Sequence, residues 1–434
     1  MPTPVITVDQ QKLVLNAFAA TFQNNLLSKD LVSWKMYNDE MSDRNGLKVA
    51  EQVGPRYTIT QTTNGVTDLT AGVQDSVFGS EQFIVNKTFG ASMGWADFVK
   101  IRDIGEARES TALANASTNL AEQIDAYIMQ VALQAANNEV GTAGNNVATY
   151  ADVLTGYTRL KEEGVDDADL RMVLTYADKQ ALGTTVVGYT ATDSLSTQAF
   201  RQGFTGEIAG LPTMFTQQLA FITPGTRTNG TVAGAAQNVN YNAVSTSPAP
   251  GQYMTQTLLC SGLGIGATIA DGEIFTIAGV NAYDNRLQAT LGRLQQFRVV
   301  GAVTADGSGN ATLRMFPAMI VPGSGSLGNI SVNSAHGTVV AAPANLAAIT
   351  FRGTAGAAYK PRAIIQKQAI VVNTADLIMP ATGTAMRKSL TQVPLSIRMW
   401  KDSSFATGNH QVRFDVALTA NVRDRRRIVR LNGA

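Results

Sequence analysis

Residues 103–141 read DIGEARESTALANASTNLAEQIDAYIMQVALQAANNEVG. Within them Leu113, Ala116, Leu120, Ile124, Tyr127, Val131 and Ala135 recur every three or four positions, the spacing that lines one face of an α-helix. Asp103 followed by Glu106 has the layout of a capping box, and Gly141 stands past the far end. At about 1.5 Å per residue, a helix over 103–139 is roughly 55 Å long. That exceeds most globular helices and suits a spine crossing an elongated subunit.

Upstream, residues 9–28 also predict a helix. Val14, Phe18, Phe22 and Leu26 recur every fourth position, Leu15 and Leu27 widen the stripe, and Asp9 can serve as N-cap. A helix so near the start of a chain either packs on its own core or reaches onto a neighbour as an arm. Residues 50–100 read as a long β-hairpin. Arg56-Tyr57-Thr58-Ile59-Thr60 alternates polar and apolar, and Gln82-Phe83-Ile84-Val85-Asn86 does so less cleanly. Between them Gln61–Ser80 is rich in Thr, Gly, Asp and Asn and lacks an apolar face. A long hairpin with such a tip is not stable alone and is expected to lie across another chain.

Downstream, residues 150–223 turn to mixed α/β. A helix over about 150–163 stops at Gly164, a buried strand follows at Leu170–Thr175, and short helices are expected at Tyr176–Leu182 and Leu195–Arg201. Another strand is expected at Thr213–Gln217. Residues 224–344 change character. Gly, Asn, Ser and Thr dominate, and short β-prone runs occur at Gln256–Cys260, Glu273–Ala278, Phe297–Val303, Ala311–Phe316 and Thr338–Ala341. Asp271-Gly272, Asp306-Gly307 and Pro322-Gly323 punctuate them as turns. Several short strands at this spacing suggest a small all-β barrel inserted into the α/β region. Longer strands then return at Ala363–Val372, Leu395–Trp400 and Val412–Leu418, the last two forming a plausible antiparallel pair around Ser403–Asn409.

The 434 residues are 44% hydrophobic but only 15% charged. Soluble domains carry about 25% charged residues, so much of this surface is expected to be covered by other subunits. A formal net charge of +1 excludes a global basic field for nucleic acid. The single cysteine, Cys260, excludes an internal disulfide framework and suits a reducing compartment. Met1–Val5 lacks the charged start and apolar stretch of a secretion signal, and no apolar run reaches the roughly 18 residues needed to span a membrane.

Catalytic chemistry is sparse, and no catalytic, cofactor-binding or metal-ligating residue is expected. The two histidines, His336 and His410, lie in polar contexts that predict surface positions, and too few partners exist for a zinc site or a Ser-His-Asp arrangement. The run Gly262-Leu263-Gly264-Ile265-Gly266-Ala267 invites a dinucleotide reading, but Asp271-Gly272 and strand-like sequence follow where a helix should open. A tight turn is expected instead. Arg423, Arg425, Arg426, Arg427 and Arg430 form a basic cluster near the C-terminus. It suits an ion-pairing strand end within or between subunits, or a sequence-independent contact to DNA phosphates. Glu162-Glu163 with Asp166-Asp167-Asp169 forms an acidic patch, either a solvated turn or a complement to basic residues across an interface.

The order of these parts resembles the HK97-fold coat proteins of tailed phages, an α+β capsid fold of N-arm, E-loop hairpin, spine helix with P-domain sheet, and A-domain. The inserted β-module narrows the resemblance to the coat proteins of the short-tailed Salmonella phages, whose subunit carries a small barrel called the insertion domain. Met172–Asp178 is similar to that family's strand-to-helix step, and Gly206-Glu207-Ile208-Ala209-Gly210-Leu211-Pro212 to its turn before a strand. Asp271–Val280 resembles a strand of its barrel, and Ser396-Ile397-Arg398 with Arg413-Phe414-Asp415-Val416 its closing strands. The resemblance implies an N-terminal arm at 1–49, an E-loop at 50–100, a P-domain with spine helix at 101–148 and an A-domain beginning at 149–223. It further implies an insertion domain at 224–344, the rest of the A-domain at 345–392 and closing P-domain strands at 393–434. It implies a major capsid protein that self-assembles into hexamers and pentamers of an icosahedral shell around phage double-stranded DNA. Implied partners are a scaffolding protein, a portal and non-specifically bound DNA, with no membrane, and the implied place is the virion, assembled in the host bacterial cytoplasm. The run Asn238–Gln252 holds no Asp, Glu, Lys or Arg, so a salt-bridging loop is not expected there. An encapsulin-type compartment shares the implied fold and is the alternative, disfavoured by the insertion. A β-rich adhesin is disfavoured by the spine helix, and a cofactor-dependent enzyme by the missing catalytic groups.

Overall fold

A computed structural model describes residues 8–40, 47–53, 56–57, 78–95, 105–187, 207–241, 253–325, 330–380, 384–403 and 410–434. The expected helix at 195–201 and nearly all of the expected hairpin tip at 61–80 lie outside the described residues. What is described of the hairpin is its two flanking strands, Leu47–Val53 and Gly79–Val85, paired as a two-stranded sheet. The chain forms two compact units, each assembled from segments far apart in sequence.

The first unit takes 1–49, 84–131 and 367–423. Its six-stranded sheet runs Ser33–Glu40, Ile370–Asp376, His410–Val422, Ser396–Ser403 and Thr384–Ser389, with Thr88–Trp95 also paired to His410–Val422. The pairing is antiparallel except where Ser33–Glu40 lies parallel to Ile370–Asp376. Strand 410–422 alternates only at its start, where Gln411 and Arg413 are exposed around buried Val412; from Phe414 to Ala420 every residue is buried, as in a strand covered on both faces. The expected hairpin is present, with Ser403 opposite His410.

Helix Val8–Asn25 buries Leu15, Phe18, Ala19 and Phe22 within this unit, and Leu26 just past its end is buried too. Phe18 stacks on Phe414 with ring centroids 4.0 Å apart. Of the two expectations for 9–28, packing on its own core is the one these contacts match. The spine helix spans Gly105–Ala135 and buries Leu120, Ala121, Ile124 and Ile128. It ends four residues before the expected 139, because Asn138–Val140 leave the helix to pair with the C-terminal strand. Phe89 packs on Tyr127 at 5.2 Å, and the Asp125 carboxylate accepts from the amides of Leu27 and Ser28 at 2.8 and 2.9 Å.

The second unit takes 50–83, 132–366 and 424–434. Its mixed sheet has the order Asn138–Val140, Ile428–Leu431, Arg362–Gln366, Leu170–Leu174, Leu211–Phe215 and Glu207–Ile208. Helices Tyr150–Glu162 and Tyr176–Val187 belong to the same region. Thr149 and Asp152 form a capping box at the start of the first. Val153 and Leu160 from that helix and Leu182 from the second join Met172, Leu174, Ile364, Val429 and Leu431 in one core.

Strands 370–376 and 384–389 pair in the first unit's sheet, while 428–431 lies inside the mixed sheet. These short apolar strands fit either sheet by pattern, and only long-range pairing assigns them.

The same unit holds a closed six-stranded barrel in the order Gln256–Ser261, Ala311–Phe316, Ala289–Val299, Ile274–Asp284, Ala348–Phe351 and Gly230–Val232. Closure removes the exposed sheet edges. Val232, Leu258, Cys260, Phe275, Ile277, Phe297, Val299, Leu313, Met315, Ile349 and Phe351 fill it. The sixth strand lies past residue 344, the expected end of the insert. Ile222 and Tyr359 exchange backbone hydrogen bonds of 2.8 and 3.0 Å where the chain leaves the mixed sheet and returns. Thr338–Ala341 is no strand but a single bridge at Val339, and Ile330–His336 is a short helix the expectation lacked. The glycine run is a turn: Gly262, Gly264 and Gly266 all have positive φ, between 63° and 98°. Among the described residues no helix is long and apolar enough to cross a membrane, and no cluster suits a metal ion.

Candidate functional site

The most heavily built polar region joins the barrel to the mixed sheet. Its centre is Glu139 on strand Asn138–Val140 and Arg430 on strand Ile428–Leu431, paired across adjacent strands in the register that sets them side by side. Both are buried, and their charges meet at 3.4 Å. Burying such a pair is costly unless every remaining donor and acceptor is used. Here they are. The Glu139 carboxylate accepts from the Tyr359 hydroxyl at 3.0 Å and from Asn432 at 3.1 Å. Arg430 donates to the carbonyls of Leu133 at 2.7 Å and Gly272 at 2.6 Å. Burial and the Glu139 charge push the Tyr359 hydroxyl far above its ordinary range, so it remains a donor.

The barrel answers from its own strands. Gln296 exchanges two 2.8 Å hydrogen bonds with the backbone of Glu139, amide to side-chain oxygen and side-chain nitrogen to carbonyl. Arg298 donates to the Gln134 carbonyl and pairs with Asp271 at 3.0 Å. Arg352 donates to the Gly141 carbonyl at 2.6 Å. At the barrel's base Arg227 pairs with Glu273 at 2.7 Å, and Glu273 also accepts from the amides of Gly225 and Ala270. Gly272 is confined on both counts, with φ +84° and a Cβ position only 2.8 Å from the Gln134 carbonyl oxygen. A second anchor lies in the mixed sheet. Asp178 accepts from the amides of Val147 and Thr175, from the Thr175 hydroxyl and from Arg362 Nε, at 2.6 to 2.9 Å.

The arginine cluster divides. Arg430 is internal, as described. Arg425 is buried and pairs with Glu81 at 3.0 Å, its guanidinium 4.8 Å from the Phe316 ring centre. Arg426 and Arg427 both hold Asp424 at 3.1 Å, and Arg427 also donates to Gln366 at 2.6 Å. Arg423 is exposed. The structure thus does not bring the five together as one surface. A sign was present in the sequence: a lone arginine inside Ile428-Val429-Arg430-Leu431 is surrounded by apolar residues, where a charge needs a buried partner. Glu139, its partner, was not singled out. His336, expected on the surface, is buried and stacks on Tyr241 with centroids 3.7 Å apart.

A family model for the P22 coat protein, gene protein 5, matches residues 5–428. The chain belongs to the P22 coat protein family. It is a major capsid protein, and copies of this coat protein form the shell of a phage virion. Its fold is the mixed helix-and-sheet capsid subunit carrying an inserted barrel. No curated protein matches it. Among solved structures it is similar to the CUS-3 coat protein I-domain, 25% identical over 29% of this chain and 96% of that one, TM-score 0.20. It is also similar to the capsid of the cyanophage P-SCSP1u, 9% identical over 94% and 88% of the two chains, TM-score 0.43. A virus-like particle of Pyrococcus furiosus is 6% identical over 98% and 100%, TM-score 0.40. The family match disfavours the encapsulin alternative.

Proposed function

We propose that in this coat protein the inserted barrel is a rigid brace, locked to the mixed sheet by the Glu139–Arg430 joint so that the two move as one piece during shell assembly. The joint carries the reading: buried charges with all partners supplied have one low-energy arrangement and resist relative sliding. The insert is best bounded at the Ile222–Tyr359 bridge, so that 223–358 forms the brace. The flanking strands 47–53 and 79–85 support a hairpin whose tip reaches a neighbouring subunit. The shell encloses double-stranded DNA, assembles in the host bacterial cytoplasm and uses a scaffolding protein and a portal. It performs no catalysis of its own. Of the five arginines, Arg423 is the one exposed for DNA phosphate.

Glu139→Gln tests the brace. The variant subunit should fold yet give misshapen or fewer particles by electron microscopy. Normal shells from Glu139→Gln, at wild-type yield, would show that the lock is dispensable.

A further inference from the structure

A cavity of about 690 Å³ lies in the second unit, outside the joint. Its walls are the barrel hairpin at Asp284–Gln288, the end of helix Tyr150–Glu162 through Val165, and the C-terminal turn at Asp424–Arg427, with Arg56 on its rim. Roughly 300 Å³ suffices for a ligand pocket.

Its carboxylates are already taken. Glu162 and Glu163 pair with Arg293 at 2.5 and 2.9 Å. Asp424 holds Arg426 and Arg427. Asp284 accepts from the Arg286 amide at 2.8 Å, closing its own turn. Its guanidiniums are not all matched. Arg286 donates to the Gly164 carbonyl at 2.6 Å but meets no carboxylate among the described residues. Arg56 is exposed, and the like charge of Arg426, its strongest electrostatic neighbour, pushes it down to about 10. Like charges beside low-dielectric walls repel strongly, and an anion entering between them relieves the repulsion.

The chain carries its own complement. Asp166, Asp167 and Asp169 form an exposed turn, held by Asp169 at φ +58°. Asp167 is engaged by Lys161 and Tyr157, whereas the carboxylates of Asp166 and Asp169 have no partner among the described residues. Shell assembly brings copies of this chain together at high local concentration, and a receptor lying beside its own complement lets two copies pair reciprocally through one patch.

We propose that the cavity is a receptor for a second copy of the chain, taking the acidic turn 166–169 of a neighbour onto Arg56 and Arg286. The occupant is a protein carboxylate rather than nucleic acid, because the surrounding acidic residues and the net charge of +1 give no extended field for a polyanion.

The test is charge exchange in the full-length subunit. Arg56→Glu, which breaks no ion pair among the described residues, and the double variant Asp166→Arg/Asp169→Arg should each keep the wild-type circular dichroism spectrum. Each should lower the assembled fraction in sedimentation about tenfold, and the three changes combined should restore it to within about threefold, as coupled charge pairs do. Normal assembly of either reversal alone overturns the proposal. So does failure of the combination to exceed the poorer of the two. A subunit that binds a short DNA duplex at low salt, and loses that binding in Arg56→Glu without rescue by the combination, would assign the cavity to phosphate and equally overturn it.

Discussion

Glu139 and Arg430 show how much one residue pair can settle. Neither is solvated, so deleting one partner strands the other's charge. Arg430→Met should cost the soluble subunit roughly 3–5 kcal/mol in urea unfolding, and Glu139→Leu with Arg430→Met together should cost less than either alone. Two buried titrating groups act in opposite directions. Burial pushes Asp125 up to about 6 from 3.8, partly countered by its hydrogen bonds from Ser28 and Leu27. The folded state therefore holds that proton more tightly than the unfolded chain. Stability from Asp125 declines as pH rises from about 4 to about 6 and is flat above, a cost on the order of 3 kcal/mol at most. Asp125→Asn should flatten that slope. His336 is pushed down to about 4 from 6.5, first by burial and then by the charges of Arg56 and Arg426. Its contribution is full above about 6.5 and is lost as pH falls toward 4. His336→Phe, which keeps a ring on Tyr241, should remove that acid loss. Amide hydrogen exchange from pH 4 to 7 in the two units reads both effects separately.

At the scale of elements, the decisive features are faces and close approaches. Helix 8–25 is held by the Phe18–Phe414 stack, so Phe18→Ala should lose roughly 3–5 kcal/mol and expose the helix to protease before the rest of the first unit. Gly90 faces Asp415 across the sheet, and a Cβ there would collide with that carboxylate, itself buried and shared by Arg398 and Arg413. Gly90→Val should therefore destabilise the first unit, read as a lower melting temperature, with the barrel unaffected. The spine helix, the barrel strands and the closing hairpin were legible because their periodicities are strong: near 3.6 in Leu113–Ala135, near 2 in Val412–Leu418. The barrel's sixth strand, Ala348–Phe351, was missed because four residues carry too short a pattern. The strand at Asn138–Val140 was missed because it continues a helical stripe without a break.

At the scale of the whole molecule, each unit is sewn from distant segments. The last strand, Ile428–Leu431, lies between Asn138–Val140 and Arg362–Gln366, so the C-terminus completes a sheet begun near residue 138. A chain ending at residue 423 should leave the second unit open to proteolysis and yield no particles, as limited digestion and sedimentation would show. Cutting the same length from an exposed loop would not have this effect, because no buried strand would be removed.

The amino-acid order alone determined the succession of helices and strands and the inserted β-module. These follow from local periodicity, turn residues and composition, which act over a few residues at a time. Only the tertiary structure decided that helix 8–25 covers its own sheet, that strands 370–376 and 428–431 belong to different sheets, and that Arg430 and His336 are interior. Each depends on which distant segment supplies the partner. Burial and pairing are properties of two pieces of chain brought together, and neither piece carries the other's address.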